Sequence, residues 1–197
     1  MSFTTGTLLL RESVVLAVLH HEVGDWDAAR DQVIADNRLQ MRTHNASVRV
    51  CREVISRLKQ LTPIELAIVH DAPYQEQAYV LWLAVCKRYR FIYAFAVEVI
   101  REKYLHLDFA LTRADYDAFF NAKADWHPEV AGVAPSTREK QRQVVFKMLR
   151  EADLASHDNR ILPALLTPRL VEAIRHDDPA HFALFPISAL DVKGWRR

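Results

Sequence analysis

Apolar positions recur along this chain with a helical period almost from end to end. Leu8, Val15, Leu19 and Glu22 fall on neighbouring turns and predict a helix over 8–22, stopped by Gly24. Asp25 stands where an N-cap belongs, ahead of a second helix over 26–37 with Asp27 in its first turn. The clearest amphipathic segment is 45–61. There Val48, Cys51, Ile55, Leu58 and Leu61 recur at three- and four-residue steps and form one apolar stripe. Thr62-Pro63 reads as a cap followed by a first-turn proline and opens a short helix. After a turn at Asp71-Ala-Pro-Tyr comes a long apolar run over 75–104, with Leu81, Trp82, Val85, Tyr89, Ile92, Phe95, Val99 and Tyr104. That run predicts the central core element of a helical bundle, its aromatic stripe serving for packing rather than base stacking.

A boundary is expected near Leu107, giving a helical bundle over 1–107 and a second unit over 108–197. In the second unit Thr112 caps a helix, and His127-Pro128 begins a short one that ends around Gly132. Ser136-Thr-Arg-Glu139 has the form of a capping box opening a helix to about Ala152. Val144, Val145, Met148 and Leu149 give that helix a buried face, while Lys140, Arg142, Gln143, Lys147 and Arg150 lie on the other. A polar turn over 156–160, an apolar stretch over 161–166 and a helix from Pro168 to about Arg175 follow. Helix, short helix, tight turn, long helix and flanked turn is the layout of a winged helix-turn-helix. The expected fold is all-α: an N-terminal helical bundle followed by a winged-helix-like C-terminal part, with room for a small β wing.

Composition narrows the chemistry. Among 197 residues there are four glycines, too widely spaced for a dinucleotide fingerprint or a P-loop. Two cysteines, Cys51 and Cys86, exclude a disulfide framework and a four-cysteine zinc site, and each sits in an apolar helical pattern. The N-terminus lacks a basic leader region, and Arg11 and Glu12 break its apolar run. The other membrane candidate, 78–100, is interrupted by Lys87, Arg88, Arg90 and Glu98, each costing about 2.5–3.5 kcal/mol at a bilayer centre. The expectation is a cytoplasmic protein without membrane contact. Nine histidines include no His-Glu-x-x-His pattern and no cluster with ligand spacing, and no nucleophile elbow occurs. Neither a metal, a cofactor, a small-molecule substrate nor an enzymatic activity is expected.

The net charge is only +1, so any affinity for nucleic acid rests on how the charge is distributed. Over 1–37 two arginines face six carboxylates; over 38–59 Arg38, Arg42, Arg49, Arg52, Arg57 and Lys59 face Glu53 alone. At about 100° per residue, Arg49, Arg52, Arg57 and Lys59 are expected together opposite the apolar stripe, as a phosphate-binding face. In the second unit the exposed start of the long helix offers Ser136, Thr137, Arg138, Lys140, Gln141 and Arg142 to base edges and phosphates, and Arg160 sits in the turn that would be the wing.

Several stretches also resemble one family. They are Ser2-Phe-Thr-Thr-Gly6 with 8–13, Asp25-Trp-Asp27, Arg52-Glu-Val-Ile-Ser-Arg-Leu58, Gln75-Glu-Gln77 and 81–91. The likeness continues through 97–103, 119–127, Pro135-Ser-Thr-Arg138 and Leu162-Pro-Ala-Leu-Leu166. Together they resemble the BrxA family of bacteriophage-exclusion (BREX) systems, also catalogued as a domain of unknown function and a putative inner-membrane protein. The charges within 78–100 argue against the membrane label. The resemblance implies an antitermination-factor-like bundle, a winged-helix portion, and a double-stranded-DNA-binding component of a multi-protein phage-defence system. It carries no residue-level contact motif. The function expected is sequence-tolerant binding of duplex backbone, with other components of the system as partners. Its rivals are a protein–protein adaptor, whose basic faces meet acidic partners, and an RNA-binding module.

Overall fold

The computed structural model describes residues 3–195. Its elements begin with α1 (Leu10–Val23), α2 (Trp26–Ala35), α3 (His44–Leu58), α4 (Pro63–Asp71) and α5 (Tyr74–Arg88). α6 (Arg90–Phe95) runs through a π-helical segment (Ala96–Arg101) into α7 (Glu102–Leu105). Next come α8 (Arg113–Ala124), α9 (Pro128–Ala131), α10 (Pro135–Glu151), α11 (Pro168–Asp177), a 3₁₀ segment (Pro179–Leu184) and α12 (Ala189–Trp195). Among the described residues there is no β-strand. Two isolated antiparallel bridges, Ala110 with Arg160 and Ala155 with Ile161, flank the 156–160 turn. The fold is all-α.

Local chemistry sets most helix ends. Asp25 Oδ1 accepts from the Asp27 and Ala28 N–H groups and starts α2. Thr62 and Thr112 each form a full capping box, with Glu65 and Asp115 returning the bond to the cap's own N–H. Gly24 ends α1 at φ 75°, a left-handed turn that costs glycine nothing, and its N–H closes on the His20 carbonyl. α10 departs from expectation. Ala134 is its N-cap and Pro135 its first residue, so Ser136 and Thr137 lie inside the first turn and Ser136 caps nothing. Proline's fixed φ and missing N–H make it the better helix opener here. The segment after 178 carries no periodic signal, yet it forms the 3₁₀ turn and α12.

α5 is the hub. Residues 78–86 are all buried, on every side of the helix, because α3, α4, α10 and the 3₁₀ segment pack around it. Trp82 is fully buried and its Nε1 donates to the Leu184 carbonyl at 3.0 Å. One hydrophobic cluster runs from Phe3 to Val192 and joins the first helices to α8, α10 and α11. The expected single run over 75–104 is broken at Tyr89, where φ −122° and ψ 97° are extended. No glycine or proline causes this. Tertiary contacts hold the break: the Tyr89 hydroxyl donates to Glu53, and Phe3 packs on both Tyr89 and Phe91. Burial, then the hydrogen bond to the Glu53 carboxylate, push the Tyr89 hydroxyl up to about 12.

Two polar ties fix distant parts of the chain together. Glu151, at the end of α10, accepts from the Thr7 hydroxyl and the Leu8 N–H, both at 2.7 Å. Lys87, on α5, reaches Glu65 Oε2 at 2.7 Å and Asp177 Oδ2 at 2.8 Å, locking α4 and α11 to the hub. No helix among the described residues is long and apolar enough to cross a membrane.

Candidate nucleic-acid interface

α3 turns its apolar stripe inward, burying Val50, Cys51, Val54, Ile55 and Leu58. Arg49, Arg52 and Lys59 are exposed on the far side, with Arg42 exposed just ahead of the Thr43 cap. None of these four makes an ion pair or hydrogen bond through its side chain among the described residues. Arg52 and Lys59 border a groove between α2 and α3, opposite Asp27 and Asp31. Those carboxylates are occupied by Arg30, at 2.6 and 2.8 Å. Arg30 offsets only one of the two carboxylate charges, so Arg52 and Lys59 face one net negative charge across the groove without a direct contact to it. Lys59 also lies near His20. Burial, with the charges of His21 and Lys59, holds that imidazole below its usual range against the pull of Asp25.

Arg57 does not belong to this face. Its side chain is 3% exposed and pairs with Glu53 at 2.8 Å. Its guanidinium also donates to the Thr7 carbonyl at 2.6 Å and the Thr5 carbonyl at 3.3 Å. A group so enclosed cannot meet a phosphate; it ties the N-terminal segment to α3. The helical wheel carried the signal, because Arg57 lies about 20° from buried Val50 and well away from Arg49. Arg38 is half-exposed and makes a long contact with Asp36 at 3.2 Å.

On α10 and in the 156–160 turn the expected residues divide. Ser136, Thr137 and Lys140 are exposed on the first turns of α10, and Arg160 is exposed in the 156–160 turn. Gln141 is fully buried, three and four residues before Val144 and Val145 on the same stripe, so it reads no base edge. Arg138 and Arg142 turn back to α8. Both clasp Asp117, at 3.0 and 2.8 Å, and Arg138 also reaches Asn121 and stacks over Phe120 at 4.4 Å. These two arginines bridge α8 to α10 and stay only partly exposed, engaged by Asp117. Arg113, missed by the sequence reading, lines a cleft of about 230 Å³ with Arg142, Gln143, Arg150 and Asn159. Its signal was available: it is the first residue after the Thr112 cap.

The two cationic sets lie on separate helices. α3 and α10 are joined through α5 and through the segment at 5–8, where Arg57 and Glu151 both attach. Among the described residues no group of three or more His, Cys, Asp or Glu side chains could hold a metal ion.

The BrxA family model matches residues 1–178. The chain belongs to the BrxA family. Among curated proteins, this BrxA family member is similar to the "BREX protein BrxA" of Bacillus cereus (strain H3081.97), 26% identical over 149 residues covering 74% of each chain. It is also similar to the "BREX protein BrxA" of Escherichia coli O9:H4 (strain HS). That relative is 24% identical over 147 residues, covering 75% of this chain and 69% of the other. Among solved structures, an uncharacterized protein from Magnetospirillum magneticum shares the fold, with a TM-score of 0.78 at 20% identity. The match covers 93% of this BrxA chain and 94% of that one.

Proposed function

We propose that this BrxA family member is a non-enzymatic, duplex-DNA-binding component of a BREX phage-defence system, acting inside the cell beside other components of that system. One observation carries the reading: Arg49 and Arg52 on α3, with Arg42 just before it and Lys59 at its end, form an exposed cationic face with no direct carboxylate contact among the described residues. Surface helices ordinarily mix signs, and unpaired cations in a row suit a phosphate backbone. Lys140 with the Ser136 and Thr137 hydroxyls on α10, and Arg160 in the turn framed by the two bridges, extend the footprint. In this reading α8, α9 and α10 with that turn act as a winged helix-turn-helix whose wing is reduced to two bridges. Arg138 and Arg142 brace its helices.

Such a surface neutralises phosphates and reads few bases, so binding is sequence-tolerant and steeply salt-dependent. The test is a fluorescence-anisotropy series on duplex DNA, single-stranded DNA and RNA at several salt concentrations. Binding to unrelated duplexes with equal affinity, falling linearly on a log–log salt plot, is the expected result. Preference for structured RNA over duplex in competition, or no duplex binding at low salt, overturns the proposal.

A further inference from the structure

The break at Tyr89 opens a groove of about 890 Å³ that the duplex footprint does not use. Its walls carry Arg88, Arg90, Lys123 and His127, and its floor is made by Tyr89, Phe91, Ala94 and Val130. The cations are unequally engaged. Lys123 pairs with Glu98 at 2.7 Å, and His127 stands 3.6 Å from Glu129, the one carboxylate among the groove's lining residues. Arg88 lies over the Tyr89 ring at 5.2 Å without a carboxylate, and Arg90 has no side-chain partner among the described residues. Next in the chain to His127 is Trp126, 84% exposed, the most exposed large hydrophobic side chain described.

We infer that this groove binds a nucleotide unit, its phosphate between Arg88 and Arg90 and its base against the aromatic floor and Trp126. A volume of this size suits one such unit or a short run of them. Flat guanidinium forks match phosphate oxygens, and an exposed indole one residue along the chain from the groove-lining His127 offers a stacking surface indifferent to base identity. An extended peptide would find no sheet edge to pair with among the described residues. The residues are disjoint from those of α3 and α10, so the inference stands or falls apart from duplex binding. The same chemistry is offered by a free nucleotide or by an unpaired nucleotide in a strand.

The full-length protein is titrated by calorimetry with dAMP, with a tetradeoxyadenylate and with hexaglutamate. The variants are Arg90→Glu, Trp126→Ala and the double change Arg49→Glu/Arg52→Glu. Arg90 and Trp126 are exposed, so both single variants fold, and circular dichroism checks this. Each single change is expected to weaken tetranucleotide binding about tenfold. The double variant keeps that binding while losing duplex affinity. Tighter binding of the tetranucleotide than of dAMP assigns a strand as the source; equal affinity assigns the free nucleotide. The inference is overturned by an unbound tetranucleotide, by undiminished affinity in both single variants, or by hexaglutamate binding as tightly.

Discussion

Arg57→Ala separates architecture from interface on the cationic helix. The Arg57 side chain is 3% exposed and its partner Glu53 14%, so the pair is almost withdrawn from water. Removing one member leaves Glu53 buried without its counter-charge and frees the Thr5 and Thr7 carbonyls. Breaking a buried pair in this way costs about 3–5 kcal/mol. In a chain of this size each kcal/mol moves Tm by about 2–4 °C, so a fall of about 10 °C is expected. Thermal and denaturant unfolding followed by circular dichroism measure it. A double-mutant cycle with Glu53→Ala should return a coupling of about 1–3 kcal/mol, since the two side chains act as one unit. Duplex affinity, taken well below the transition, should be unchanged. A Tm within about 2 °C of the parent, together with weakened duplex binding, would refute the assignment and return Arg57 to the surface.

Trp82→Ala should lose about 3–5 kcal/mol, because it empties the centre of α5 and orphans the Leu184 carbonyl; chemical denaturation shows whether it does. Asp117→Asn releases Arg138 and Arg142 from their shared carboxylate. Duplex binding should tighten and the log–log salt slope steepen by up to about 0.9 for each further phosphate neutralised, and an unaltered slope would show that both arginines stay inward. Burial works to raise the Asp115 carboxyl, but hydrogen bonds from Thr112 and Lys103 hold it below the ordinary carboxylate range. A depressed folded pKa gives stability that is present above the unfolded value and lost as pH falls through the folded one. The stability gap between the parent and Asp115→Asn should accordingly close as pH drops below about 4, measured by urea titration across pH.

The helices were legible where a local device set them. The 3.6-residue stripe announced α3, and Thr62-Pro63 and Thr112 marked their helix starts, because caps and periods are written in neighbouring residues. The break at Tyr89 was not legible, since it depends on Phe3 and Glu53 reaching it from distant parts of the chain. The groove it opens, with Arg88 and Arg90, was invisible for the same reason; in the sequence those arginines only interrupt an apolar run. Residue type and angle placed Arg49, Arg52 and Lys59 on the exposed side of α3, where the structure has them, but overreached at Arg57 and, on α10, at Gln141. Both lie within one helical step of a buried stripe, and a stricter reading of angle would have turned them inward.

The central claim is that the unpaired cations of α3 meet a duplex backbone. Duplex affinity measured against salt concentration, for the parent and for Arg49→Glu/Arg52→Glu, tests it most directly. Both side chains are exposed and without partners among the described residues, so the double variant should keep its helical content and Tm. The account predicts weaker binding at every salt concentration and a slope shallower by about 0.9 for each phosphate the variant no longer neutralises. The same affinity and the same slope in both proteins would contradict it.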